Sequence, residues 1–183
     1  STEQVNAGEQ QYLGRIECFV PEKDFEKFTT EGVPTDLLYQ CDEMGEAHPV
    51  SLVQNEFVLL KADASLRKTH LGRVWGDRVI PLEYAKETPY GVKPRNAGQY
   101  FMQEALMKPA AEAPLVIVKG QAGTAKTFYA LAVGLEKLLN HPSEEYRRIL
   151  ICRPNAQFDS DIGFLPGDEQ EKISPLMRPI MDN

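Results

Sequence analysis

Eight consecutive residues, Gly120-Gln121-Ala122-Gly123-Thr124-Ala125-Lys126-Thr127, have the types and spacing to hold a polyphosphate. A multiply negative group needs hydrogen-bond donors without steric bulk. The backbone N–H groups of a small-residue loop, with the N-terminal end of a following helix, supply them. Lys126 adds a point charge for the β- and γ-phosphates, and Thr127 offers a hydroxyl to Mg²⁺. The strict form of this P-loop has glycine where this chain has Ala125, so context must decide whether the loop is a true one.

The context is a strand before and a helix after. Residues 115–118 (Leu-Val-Ile-Val) are a short continuous apolar run, which predicts a strand buried on both faces of a parallel sheet. A helix is predicted over 126–140, with Ala130, Leu131, Val133, Leu135, Leu138 and Leu139 at helical spacing and a stop at Asn140-His141-Pro142. Residues 149–152 (Ile-Leu-Ile-Cys) predict a second buried strand. Together these form one βαβ unit with a right-handed crossover. Upstream, Asn96 is placed to cap a helix over 97–107. The segment 10–84 reads as strands and turns with one helix. Residues 12–20 alternate with Arg15 and Glu17 out and Ile16 and Cys18 in. A short helix starts at Pro21 with acids in its first turn, a strand covers 56–62, and a hairpin over 71–82 turns at residues 75–78.

The Gly-Thr-Ala-Lys-Thr ending resembles working P-loops of MoxR-type and MCM-type ATPases, which implies that alanine is tolerated at 125. The segment after the second run is more specific: Arg153-Pro154, then Asp161-Ile162-Gly163-Phe164-Leu165-Pro166-Gly167-Asp168, Glu171-Lys172, Pro175, Arg178-Pro179 and Asp182-Asn183. That string closely resembles the PhoH family of ATPases. The run Gly91-Val92-Lys93-Pro94-Arg95-Asn96 with Gln99 looks like the lead-in of the PhoH branch that carries an upstream PIN ribonuclease domain. The motif-rich match covers residues 91–183.

The resemblance implies an α/β fold: a partial parallel sheet of a RecA-like P-loop NTPase core over 91–183, preceded by a small β-rich accessory region over 1–90. It implies binding of ATP and Mg²⁺ by residues 120–127, with Lys126 and Thr127 as the catalytic pair. It further implies RNA as substrate for a helicase or remodelling activity, and a homo-oligomer, a hexameric ring being the size it suggests.

Gln99 lies 21 positions before Gly120, an offset at which superfamily 1 helicases place an adenine-reading glutamine. An amide donates to and accepts from the adenine edge. A solvated helix residue is the equal alternative from the residues alone, and the resemblance favours adenine contact. Arg153 is balanced between a phosphate or RNA contact at a strand end and an ion pair with the acids that follow. Asp161 and Asp168 read as turn and cap residues. The stretch Lys61, Arg67, Lys68, His70, Arg73 and Arg78, with Trp75, suits single-stranded RNA by charge and stacking. A wet hairpin face with Trp75 packed inward is the favoured reading. A non-catalytic RNA-binding or assembly module built on this region is the rival to the ATPase.

Net charge is −7, which argues against nucleic-acid binding over the whole surface. The charge is uneven: residues 51–100 hold 8 Lys/Arg against 5 Asp/Glu, whereas residues 1–50 hold 3 against 11. No apolar run reaches the ~20 residues of a membrane span. Three scattered cysteines, Cys18, Cys41 and Cys152, fit neither a zinc site nor a disulfide framework, and a reducing cytoplasm is expected. No buried strand ending in Asp-Glu follows residue 152 and no arginine finger can be placed. The chain is therefore expected to be a piece of a longer protein, marginally stable alone and inactive as an ATPase.

Overall fold

The computed structural model describes residues 12–63, 65–140 and 146–152. The chain divides into two compact units, residues 1–85 and 86–183.

The first unit is a seven-stranded sheet with one helix. Its elements are β1 (Arg15–Val20), α1 (Glu22–Glu31), β2 (Val33–Pro34), β3 (Tyr39–Cys41), β4 (Ala47–Pro49), β5 (Phe57–Ala62), β6 (Ser65–Trp75) and β7 (Arg78–Pro81). The strand order is β2-β7-β6-β5-β1-β3-β4. Among the described residues only β1 and β5 run parallel, in register from Arg15 opposite Phe57 to Val20 opposite Ala62, and the other pairs are antiparallel. The alternation expected in β1 is present: Arg15 and Glu17 are exposed, while Cys18 and Val20 are buried. Helix α1 follows Pro21 and carries Glu22 and Asp24 in its first turn, where the helix dipole favours acids. Its Phe25 and Phe28 pack into a core with Val58, Leu60, Val74 and Val79.

Two glycines shape this packing. A Cβ at Gly72 would stand 2.8 Å from Phe28 Cζ and from the Ile80 carbonyl oxygen, so the bare backbone lets α1 settle on the sheet. Gly76, at φ +64, is the first of the two turn residues between Trp75 and Arg78. The hairpin thus turns where the sequence predicts, but β6 begins at Ser65 rather than at residue 71. The short strands β2, β3 and β4 are additional to the predicted elements.

The second unit holds α2 (Ala97–Met107), α3 (Lys126–Leu135) and a wider helical turn over Glu136–Asn140. Helix α2 has the predicted bounds. The two predicted strands differ from expectation. Residues 115–118 and 149–152 are assigned to no helix or strand and pair with no strand among the described residues. Leu115, Ile117 and Leu150 are 77%, 73% and 75% exposed. A strand needs a neighbour for its N–H and C=O groups, and the described residues bring none alongside either run. Among the described residues, all parallel pairing is in the first unit. The α/β class holds, while the parallel βαβ sheet does not form among the described residues. Helix α3 keeps part of the expected stripe, with Val133 buried and Leu131 and Leu135 half-buried. It buries Tyr129, Ala132 and Val133, while Ala130 is exposed. Among the described residues no helix is long and apolar enough to cross a membrane.

Candidate functional site

Helix α2 starts as its sequence requires. Asn96 is its N-cap, and its side chain accepts the Gln99 backbone N–H at 3.0 Å. Gln99 Oε1 in turn accepts the Arg95 N–H at 2.8 Å. This reciprocal arrangement is a capping box shifted outward by one residue. It fixes the Gln99 carboxamide at the head of α2, with its two amide N–H donors directed away from that bond.

The loop 120–127 closes on itself through Lys126. Its ammonium has three donors, and they reach the Gly120 carbonyl at 2.8 Å, the Gln121 carbonyl at 2.6 Å and Thr124 Oγ1 at 3.2 Å. Thr124 Oγ1 donates to the Gln121 carbonyl at 2.7 Å. The charge therefore sits inside the loop's curve, at the N-terminus of α3. Gly123 has φ +78, which explains glycine there. Ala125 has φ 59 and ψ 24, a left-handed conformation immediately before Lys126. This is why the strict pattern has glycine at 125. Alanine adopts the same backbone at a cost of about 1–2 kcal/mol. Thr127 lies in the first turn of α3 and is exposed. A Cβ at Gly120 would stand 3.2 Å from Thr124 Oγ1, so the loop is tight at its entry.

Helices α2 and α3 pack together. Tyr129, one turn into α3, is 1% exposed. Burial raises its pKa, Tyr100 raises it further, and the Arg95 guanidinium opposes both. Tyr129 thus lies on the face of α3 that meets α2. Sequence reasoning missed Tyr129. The signal was its spacing with Ala132 and Val133, the i, i+3, i+4 stripe of a buried helix face.

The opposite end of α2 carries a buried polar group that polarity alone would have assigned to solvent. Gln103, Glu104 and Lys108 are buried. Lys108 Nζ lies 3.9 Å from Glu104 Oε1 and 3.4 Å from Glu112 Oε2. Gln103 Nε2 donates to the Glu87 carbonyl at 2.9 Å, and Lys137 Nζ to the Lys108 carbonyl at 2.6 Å. Nearby, Glu136 Oε2 accepts the backbone N–H of Tyr90 at 2.8 Å, bracing a tyrosine held at φ 48.

The structure commits much of the basic stretch of the first unit to internal partners. Lys61 pairs with Glu17. Arg73 is buried, donates to Asn55 Oδ1 at 2.7 Å and lies 4.9 Å from the Trp75 ring centroid. Arg78 donates to the carbonyls of Glu31 and Gly32. His70 stacks on Phe25 and Phe28, with centroids 4.2 and 5.2 Å away. Arg67 and Lys68 are exposed. Trp75 is 48% exposed rather than packed inward. On the β3–β4 hairpin, Asp42 accepts the N–H groups of Met44 and Glu46 and pairs with His48 at 2.8 Å. These contacts build the turn. Arg153, Asp161, Asp168 and the rest of the 153–183 segment, with His141 and Pro142, lie outside the described residues.

The described site is thus a small-residue loop closed by a lysine at a helix N-terminus, with Gln99 held at the head of the adjoining helix. The family model described as PhoH-like protein matches residues 91–183. The chain belongs to the PhoH family. It is 35% identical over 131 residues to Protein PhoH2 of Bacillus subtilis, covering 70% of this chain and 29% of that protein. It is 38% identical over 158 residues to Protein PhoH of Escherichia coli K12, covering 78% of this chain and 43% of that protein. The PhoH-like protein of Synechocystis is 37% identical over 82 residues, covering 45% of this chain and 24% of that protein. The chain therefore spans less than half the length of these relatives. No solved structure matches it. Membership places the chain in a family of nucleotide-binding, ATPase-type proteins.

Proposed function

We propose that residues 120–127 bind the phosphates of ATP, and that the full-length protein is an ATPase acting on RNA as a helicase or remodelling enzyme. The observation that carries this is the position of the Lys126 ammonium, inside the loop and held by Gly120, Gln121 and Thr124. Three charge-assisted contacts to neutral oxygens keep the cation where anionic oxygens would replace them. The donor set fits a polyphosphate: backbone N–H groups at a helix N-terminus, a lysine, and an exposed hydroxyl at Thr127 for Mg²⁺. Bound Mg²⁺ would neutralise charge on the transferred phosphate. Gln99 reads the adenine edge, through its amide N–H donors and the second lone pair of Oε1. Arg95 N–H orients that carboxamide beforehand, so little side-chain freedom is lost on binding.

In this reading the full-length protein is a ring-shaped homo-oligomer of the cytoplasm, with a PIN ribonuclease domain upstream and RNA as its partner. The test is ATP turnover by the full-length protein with and without RNA, against Lys126→Ala. Equal turnover by the variant would sink the assignment.

A further inference from the structure

Alternate residues of a strand point to opposite sides of its sheet, so the pairing register sorts the first unit into two faces. One face holds Cys18, Val58, Leu60 and Val74 and packs with Phe25 and Phe28 of α1. The residues between them stand on the other face, in rows that cross the sheet. Arg15, Phe57 and Arg73 form one row, and Trp75 follows Arg73 by two residues. Glu17, Leu59 and Leu71 form the next, and Tyr39, Phe19 and Lys61 the third. Phe19, Tyr39 and Phe57 are half-buried, and Trp75 is 48% exposed. The rings are held in place. Phe19 and Tyr39 have centroids 5.8 Å apart, and Arg73, fixed by Asn55, lies over the Trp75 ring. The Gln54 carboxamide accepts the Gly76 N–H and donates to the Gly76 carbonyl, each at 2.8 Å, which pins the tip that carries Trp75.

Charge sets this face apart. Residues 12–85 hold 8 Lys/Arg against 13 Asp/Glu, whereas the three rows hold three cations and one acid, Glu17, which pairs with Lys61. We propose that this face binds single-stranded nucleic acid, bases stacking on Trp75 and its neighbouring rings while Arg15 and Lys61 meet phosphates. Aromatic rings among cations suit a single strand, because a duplex hides the base faces that would stack. The proposal deepens the RNA reading of the full-length protein and rests on it. The surface is not the basic stretch 61–78 of the sequence: pairing adds Arg15, Phe19 and Tyr39 and turns His70 towards α1.

The experiment titrates the full-length protein into fluorescein-labelled oligouridylate and follows anisotropy. Trp75→Ala is expected to weaken binding roughly tenfold, with Trp75→Phe keeping most of it. Arg15→Glu should weaken it similarly and make its salt dependence shallower. Lys27→Glu makes the same charge change on the exposed side of α1 and should stay within about twofold. Oligodeoxythymidylate should bind comparably, since neither stacking nor charge reads the 2′-hydroxyl, and duplex RNA at least tenfold more weakly. Wild-type affinity in folded Trp75→Ala and Arg15→Glu, an equal loss in Lys27→Glu, or equal duplex binding would overturn the proposal. If RNA still stimulates ATP turnover in that case, the RNA reading stands and only this surface falls. If RNA neither binds nor stimulates the wild type, the RNA reading fails, and this proposal with it.

Discussion

The Lys126 ammonium reaches back six residues to the Gly120 carbonyl, 2.8 Å away, and so ties the last turn of the loop to its first residue. The contact is a charge-assisted bond to an exposed backbone oxygen. Its contribution to folding is small, because water competes for both partners.

Replacing Lys126 by alanine should therefore separate binding from stability. Nucleotide affinity is expected to fall by tenfold or more, equivalent to at least about 1.4 kcal/mol. The urea midpoint should barely move. Calorimetric titration of the nucleotide and a denaturant curve on the same preparations check both halves.

Ala125→Gly is expected to stabilise the second unit by about 1 kcal/mol. Relief of the left-handed strain is worth about 1–2 kcal/mol, and the looser unfolded chain returns about half of it. Gly123→Ala, at φ +78, should do the reverse. A denaturation series on the three proteins decides the matter; a destabilised Ala125→Gly would contradict the geometry.

Lys108→Ala is expected to cost up to about 3 kcal/mol, because it removes a buried cation 3.9 Å from the buried Glu104 carboxylate. Replacing both by apolar residues of similar volume, as in Glu104→Leu with Lys108→Met, should recover most of the loss. Urea midpoints of the single and double variants form the comparison.

Acid should weaken the first unit through His70. Burial lowers its pKa below the ordinary 6.5, while a hydrogen bond to the Phe25 backbone partly opposes the shift. The unfolded chain therefore takes up the proton first. Stability is level above about pH 6.5, falls as pH drops through that value, and levels again below the depressed folded pKa. His70→Phe keeps the ring against Phe25 and Phe28 and should remove this part of the slope. Urea midpoints at pH 8, 6 and 5 test it, and an unchanged slope in the variant would assign the acid sensitivity elsewhere.

The sequence was most legible where local chemistry decides structure. Asn96 announces a helix, and α2 starts after it. Arg15, Ile16, Glu17 and Cys18 alternate, and β1 buries the same side. Trp75-Gly76-Asp77-Arg78 turns because glycine accepts φ +64. Legibility failed where a partner distant in sequence decides. The runs at 115–118 and 149–152 have the composition of buried strands, but composition supplies no neighbouring strand. Ile149 instead packs beside Gly134 on α3. Glu104 and Lys108 look solvated until burial brings them together. Arg73 and Arg78 look free until Asn55 and the α1 C-terminus take their donors. At the site, the loop and Gln99 were visible as a pattern. The bond from Arg95 to Gln99 is local, but which side-chain oxygen takes that N–H is settled only by the backbone before Asn96. The burial of Tyr129 was signalled by its spacing with Ala132 and Val133 but completed by the packing of α2 against α3.

Trp75 gives the molecule a built-in optical divide. It is the only tryptophan in the chain, it sits at the hairpin turn of the first unit, and Arg73 lies over its ring. Tryptophan emission therefore reports the β-rich unit alone, while the P-loop unit is dark at that wavelength. Adding nucleotide while following this emission during melting reads directly whether ligand stabilisation crosses from one unit to the other. Coincident shifts would mean a single cooperative body; a stationary tryptophan transition would mean two independent ones.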